Sequence, residues 1–352
     1  MRRDGFLMAL TLGAIVGVAL PLTAADTITR RDGTRVSGQI TGGTKTDLTI
    51  KPSIGDAVAV PASDIASIDW DAATADLKLG ITDETGGRLD SALQRVTKSK
   101  AETKSPSDLL RHEFDFVLAR INARMALADA SKQDATITLL EAFRKVGADH
   151  FRFYEATNLL GQVKLAKGDF AGARTAFEAL AQSPAPDYKL AAKIAQGRIL
   201  MGEGQNEQAA QMFDEAIGSA GATPAEQARK FEAMLGKARA EAAVSKHTEA
   251  LQVLDDVISK APADVTAIQA EAYVLQGNSL QALNRNKEAV LAYLHVDLLF
   301  ARESSFHAES LYHMSRLWKT VQFPERGIDA EGKLLASYPN SPWAKKLSGT
   351  GN

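Results

Sequence analysis

The 352-residue chain predicts a mainly α protein, an α-solenoid of about seven helical hairpins preceded by a small five-stranded β barrel. Three observations carry this. Small residues recur every 36 to 43 residues from Ala92 to Gly327. Ala- and Leu-rich stretches surround them, as closely packed helices require. Residues 26–70 alone carry short apolar runs broken by Gly and Asp-Gly turns.

Composition narrows the function before any motif is read. Hydrophobic residues make up 45% and charged residues 24%, an ordinary globular balance. Lys and Arg number 41 against 43 Asp and Glu, leaving a net charge of −2 without the basic excess of a dedicated nucleic-acid binder. There is no Cys, which excludes disulfides, thiolate metal sites, iron–sulfur clusters and a cysteine nucleophile. Six His leave little for a histidine-rich metal site.

Residues 1–25 read as a secretory signal peptide. Arg2 and Arg3 precede a 15-residue apolar run, Phe6 to Leu20, which is short of the roughly 20 residues a membrane span needs. Pro21 ends the run, and Thr23-Ala24-Ala25 predicts cleavage after Ala25. The expected location is periplasmic or secreted, with no membrane span left after cleavage.

Residues 26–70 change character. Asp32-Gly33 is a hairpin signal, and Val36, Ile40, Leu48-Thr49-Ile50, Val58-Ala59-Val60 and Ile65 to Trp70 mark short strands. The pattern resembles small SH3-like or Sm-like barrels. That resemblance implies a peptide-contact or packing module. Basic residues are few here, and no aromatic platform precedes Trp70, so a nucleic-acid role is not expected.

Residues 71–347 form a repeat array. The clearest unit runs Leu160-Gly161, Gly168-Asp169-Phe170, Ala173, Phe177, Leu180, with Pro184 and Pro186 after it. It resembles the tetratricopeptide (TPR) repeat, a helix–turn–helix of about 34 residues. With Gly161 as position 8, Gly168 falls at 15, Ala173 at 20 and Phe177 at 24. Position 20 is then Ala92, Ala135, Ala173, Ala209, Ala250, Ala289 and Gly327. In the second copy Leu139 and Ala142 follow Ala135, and in the fifth Gly236 lies two residues out of step, predicting a longer turn. Small residues at 8 and 20 let two helices cross closely, and a large side chain at 24 fills the gap beside them. A lone hairpin cannot bury its apolar face, but a stack can. The Tyr338-Pro339-Asn340-Ser341-Pro342-Trp343 close is similar to periplasmic TPR proteins of the Tol–Pal and outer-membrane assembly systems. Residues 348–352 read as a disordered tail.

The resemblance implies a partner groove lined by positions 2, 5, 9 and 12 of each first helix. Position 9 gives Ile81, Arg124, Gln162, Arg198, Arg239, Asn278 and Arg316; positions 5 and 12 add Asn158 and Gln281. Position 2 gives Glu155, Glu232, Glu271 and Glu309. An Arg row beside an acidic edge suits an extended acidic or C-terminal peptide, because guanidinium recognises carboxylate bidentately.

Catalytic patterns are missing. His112-Glu113 lacks a second His four residues after the first, His307 and His313 are poorly spaced for one helix face, and Asp255-Asp256 fits a solvated surface. No nucleophile elbow, phosphate loop or dinucleotide fingerprint occurs. The expectation is a non-enzymatic scaffold without cofactor or metal, binding a protein or peptide partner in the cell envelope, its oligomeric state open. The alternatives are a glycan- or peptide-binding module in which the β barrel does the recognition, and an accessory subunit of an envelope enzyme.

Overall fold

The computed structural model describes residues 25–349. The predicted leader lies outside the described residues apart from Ala25, as do the last three residues of the predicted tail.

Five antiparallel strands come first: β1 (Asp26–Arg30), β2 (Arg35–Gly43), β3 (Asp47–Lys51), β4 (Val58–Pro61) and β5 (Ile65–Asp69). Their order across the sheet is β4-β3-β2-β1-β5. The long β2 serves both halves, and a bulge between Ile40 and Gly42 bends it between them. Alternation puts Ile28, Leu48, Ile50 and Val60 on one face, all completely buried. A 3-10 turn, Ala62–Asp64, joins β4 to β5.

Seven helical hairpins follow. They are α1 (Ala75–Thr85) with α2 (Leu89–Glu102), α3 (Asp108–Ala128) with α4 (Gln133–Val146), and α5 (Phe153–Lys167) with α6 (Phe170–Ala181). Next come α7 (Pro186–Gly202) with α8 (Asn206–Ser219), and α9 (Pro224–Ala243) with α10 (His247–Lys260). The last two are α11 (Thr266–Ala282) with α12 (Asn286–Leu299), and α13 (Ser304–Thr320) with α14 (Pro324–Ser337). A short helix, α15 (Pro342–Leu347), closes the stack. Local signals set the ends. Proline occupies the first turn of α7, α9, α14 and α15, where its missing N–H costs nothing. Thr223 and Glu226 cap α9 reciprocally.

Within a hairpin, the ring at position 24 lies on the glycine at position 8. A methyl built on Gly161 would come within 2.6 Å of Phe177, and one on Gly277 within 2.6 Å of Tyr293. Ala173, Ala209, Ala250 and Ala289 at position 20 are fully buried. Two positions correct the sequence register. In α4 the inward residues are Thr136, Leu140 and Phe143, while Ala135 is exposed and Leu139 nearly half so. The register there is one residue later, because a 3-10 turn, Ala130–Lys132, replaces the tight turn used elsewhere. Gly236 is not a displaced position 8. Buried Ala238 fills that slot, and Gly236 instead receives Phe213 from the preceding hairpin.

Successive first helices lie side by side, α3 with α5, α5 with α7, and so on to α13. Successive second helices are not in comparable contact, so the array curves with its first helices on the inner side. The β-sheet core and the first six helices share one apolar cluster, which includes Ile28, Trp70, Leu77, Phe116 and Ala176.

Candidate partner-binding groove

With positions 8 and 20 turned toward the hairpin partner, positions 2 and 9 sit two turns apart on the hollow side of each first helix. There the Arg row and the acidic edge meet as a ladder. Arg198 of α7 lies 3.6 Å from Glu232 of α9, and Arg239 of α9 lies 2.8 Å from Glu271 of α11. Asn278 of α11 donates to Glu309 of α13 at 3.3 Å. Each rung joins position 9 of one first helix to position 2 of the next. In the early hairpins position 5 does this, with Arg120 of α3 at 3.6 Å from Glu155 of α5. Arg124 turns back instead, donating to the Glu84 carbonyl at 2.7 Å.

The C-terminal end is also occupied by its own contacts. Arg316 donates to the Tyr312 hydroxyl at 3.0 Å, and the Tyr293 hydroxyl donates to Asn278 at 2.6 Å. Gln281 lies 3.1 Å from His313 Nδ1, and His313 stacks on Tyr293 with ring centres 4.9 Å apart. Burial, reinforced by Lys346 and Arg316, pushes His313 down to about 4, so it is neutral at physiological pH. Burial pushes the Glu309 carboxyl up against the opposing pull of Asn278 and Arg239.

The ladder has a gap. Position 2 of α7 is Ala191, so Gln162 at position 9 of α5 has no carboxylate to meet. Neither Gln162 nor Asn158 makes a side-chain hydrogen bond to any described residue. A small cleft of about 20 Å³ opens there, bordered by Asn158, Gln162, Ala191, Arg198, Arg229 and Glu232. Arg229 holds Glu232 at 2.8 Å, leaving Arg198 at the longer 3.6 Å and 45% exposed. Three predicted residues, Asn158, Gln162 and Arg198, therefore share one cleft. Arg239 lies two turns further along α9, and Arg124, Asn278, Gln281 and Arg316 lie on other hairpins, all engaged as described.

Sequence reasoning missed Arg229, whose only signal is an Arg-x-x-Glu spacing with Glu232. It also missed a buried charge network at the base of the groove. Arg120 binds the Glu84 carboxylate bidentately at 2.9 and 2.8 Å. Arg152 reaches both Glu113 and Glu155 at 3.0 Å. Burial works to raise Glu155, but Arg152 and Arg120 outweigh it and hold the carboxyl below its usual range. The only sequence hint was a charge inside an apolar run, Glu113 before Phe114 and Phe116.

Residues with catalytic looks have structural partners. Glu113 serves Arg152, and Asp256 pairs with Lys260 at 2.8 Å. His307 bridges Asp297 at 2.6 Å and the Tyr338 hydroxyl at 2.8 Å. Among the described residues no three His, Asp or Glu side chains gather as a metal-binding set, and no helix is long and apolar enough to cross a membrane.

No family model and no curated protein matches the sequence. Solved structures match the fold. The apo form of RapI is 12% identical over 77% of this chain and 78% of its own, with a TM-score of 0.51. A Rap protein complexed with Competence and Sporulation Factor is 12% identical over 77% and 79%, with a TM-score of 0.53. The fold is a TPR-type α-solenoid. A tetratricopeptide repeat protein from Parabacteroides merdae also overlaps it, over 68% of this chain and 97% of its own, at 16% identity and a TM-score of 0.39.

Proposed function

We propose that this protein is a non-catalytic scaffold of the cell envelope that holds an extended segment of a protein partner across the inner face of α5, α7 and α9. The observation that carries this is the gap at Ala191. The rungs on either side are paired within the chain, Arg120 with Glu155, Arg239 with Glu271 and Asn278 with Glu309, but Asn158 and Gln162 keep both a free donor and a free acceptor. One carboxamide can satisfy an N–H and a C=O of an extended main chain at once. Arg198, loosely held, takes a carboxylate of the partner. A similar array, the Rap protein, is complexed with Competence and Sporulation Factor, which supports use of this fold as a binding frame. The envelope location rests on the leader-like residues 1–25.

Co-purification of the full chain from envelope fractions, followed by mass spectrometry, tests the proposal with two variants. Ala191→Glu supplies the missing rung and fills the cleft; Asn158→Ala with Gln162→Ala removes the free carboxamides. Both should release the partner that the unaltered chain retains. Retention of the same partner by both variants would overturn the assignment.

A further inference from the structure

The β domain does not close flush against the array. Its β1–β2 and β2–β3 turns and its 3-10 turn face the Ser183–Ala185 connection and the first turns of α7 and α9. Two cavities, of about 450 and 590 Å³, open along this junction, and Ser63 borders both. Each falls within the range of small-ligand pockets, and domain junctions are where such pockets concentrate. Ser63 is held in place, since its carbonyl accepts from Arg31 Nε at 2.6 Å.

The first cavity has an aromatic and proline wall facing a polar one formed by Lys45, Thr46 and Asp47 at the β2–β3 turn. Tyr154 and Tyr188 border it, their ring centres 6.1 Å apart, together with Pro61 and Pro184. The second is charged, bordered by Arg30, Asp64 and Asp187 among others. Three largely buried residues in these walls have side-chain polar atoms with no polar partner among the described residues. Tyr154 is 6% exposed, Tyr188 8% and Asp187 8%, and none makes a side-chain hydrogen bond or ion pair to a described residue. Their polar atoms are not sealed from solvent, so they are open to a partner from outside the chain. The remaining charges point to its nature. Asp32 is bound to Thr34, Glu226 to Thr223 and Arg31 to the Ser63 carbonyl, which leaves Asp64 and Asp187 as the carboxylates of this wall without a side-chain hydrogen bond or ion pair to a described residue. Arg30, whose Nε is buried without a partner, offers only donors.

We propose that this junction is a second binding crevice, for an extended peptide segment carrying a basic side chain next to an apolar one. The basic group sits between Asp64 and Asp187. The apolar side chain lies against Tyr154, Tyr188 and the flanking prolines. Arg30 donates to a main-chain carbonyl of the same segment. The crevice shares no residue with the Asn158–Gln162 cleft, so the two sites are separable.

The probe is a phage-displayed random dodecapeptide library, panned against the immobilised full chain. Selected peptides should carry Lys or Arg beside an aliphatic or aromatic residue. Their affinity, measured on synthetic copies by fluorescence anisotropy, should fall about tenfold or more in Asp187→Asn, the effect of losing a charge-assisted bond. Exposed Asp64→Asn should weaken binding in the same direction, and it guards against misfolding of the first variant. Asn158→Ala with Gln162→Ala should leave the affinity unchanged. An empty selection, peptides without basic residues, or equal binding to both Asp variants and the unaltered chain would each overturn the proposal.

Discussion

Gly236→Ala puts the packing logic of the array to a direct test. Phe213 is completely buried, and it is clamped from two sides. A methyl at Gly197 of α7 would lie 2.7 Å from the ring, and one at Gly236 of α9 would lie 2.5 Å from it. Carbon atoms in contact prefer about 3.5–4.0 Å, so alanine at 236 demands a ring shift of about 1 Å. That shift drives the ring toward Gly197, where there is no room either. Helix propensity alone favours alanine by about 1 kcal/mol, while overpacking a closed core costs about 1–3 kcal/mol. Contact this short belongs at the upper end, so the expected net loss is about 2 kcal/mol. Phe213→Leu removes the obstructing ring, and in that background Gly236→Ala should be neutral or stabilising, a coupling of about 2 kcal/mol. Gly218→Ala is the control, since nothing lies within 4 Å of the added methyl; it should gain up to about 1 kcal/mol. Urea unfolding followed by helical circular dichroism reads all four variants, with hydrogen exchange locating any loss, because stacked repeats can open in segments. Gly236→Ala as stable as Gly218→Ala would refute the clamp.

Stability should fall steeply on mild acidification. Burial lowers both His150 and His313 from 6.5 to about 4, so between those values the unfolded chain binds protons that the folded chain does not. The contribution is complete above pH 6.5 and lost by about pH 4, up to about 3 kcal/mol for each histidine; His150→Phe should flatten the urea midpoint against pH across that window, and an unchanged slope would contradict the assignment. Backbone handedness gives the other prediction. Gln322, at the α13–α14 turn, has φ of +73° and Gly204, at the α7–α8 turn, +79°, so Gln322→Gly should gain about 0.5–1 kcal/mol and Gly204→Ala should lose about 1 kcal/mol, both read as shifts in thermal midpoint.

The central hairpins were legible because their spacing constraint is strict. A helix crossing that admits only a methyl leaves a mark at Ala173, Ala209, Ala250 and Ala289 that survives any change of neighbours. Where the turn lost its left-handed residue the mark slipped, and Ala135 took a place that belongs to Thr136. Gly236 misled for a related reason: a glycine shows that something approaches closely, not which helix it comes from. The buried charges were out of reach, since the same Glu and Arg letters serve on a solvated face. Only the fold brings Arg152 to Glu113 across 39 positions. The junction crevice was equally hidden, because nothing in the sequence marks Tyr154 and Tyr188 as neighbours of one cavity until the β domain is placed beside them.

The groove shows how periodic charge should be weighed in a stacked array. A residue that recurs in every hairpin at the same register faces its counterpart in the next, so the stack itself consumes it. Arg239 with Glu271 is such a pair, and it holds neighbouring hairpins together rather than waiting for a ligand. Recognition needs groups the stack has not used, and those arise where the period breaks. Ala191 breaks the ladder and frees Gln162. The Pro184-Ala185-Pro186 connection stands where the β domain approaches, and beside it the Asp187 and Tyr188 side chains make no hydrogen bond or ion pair to a described residue. Both candidate sites are thus departures from the repeat, and neither consists of its most conspicuous feature, the arginine row.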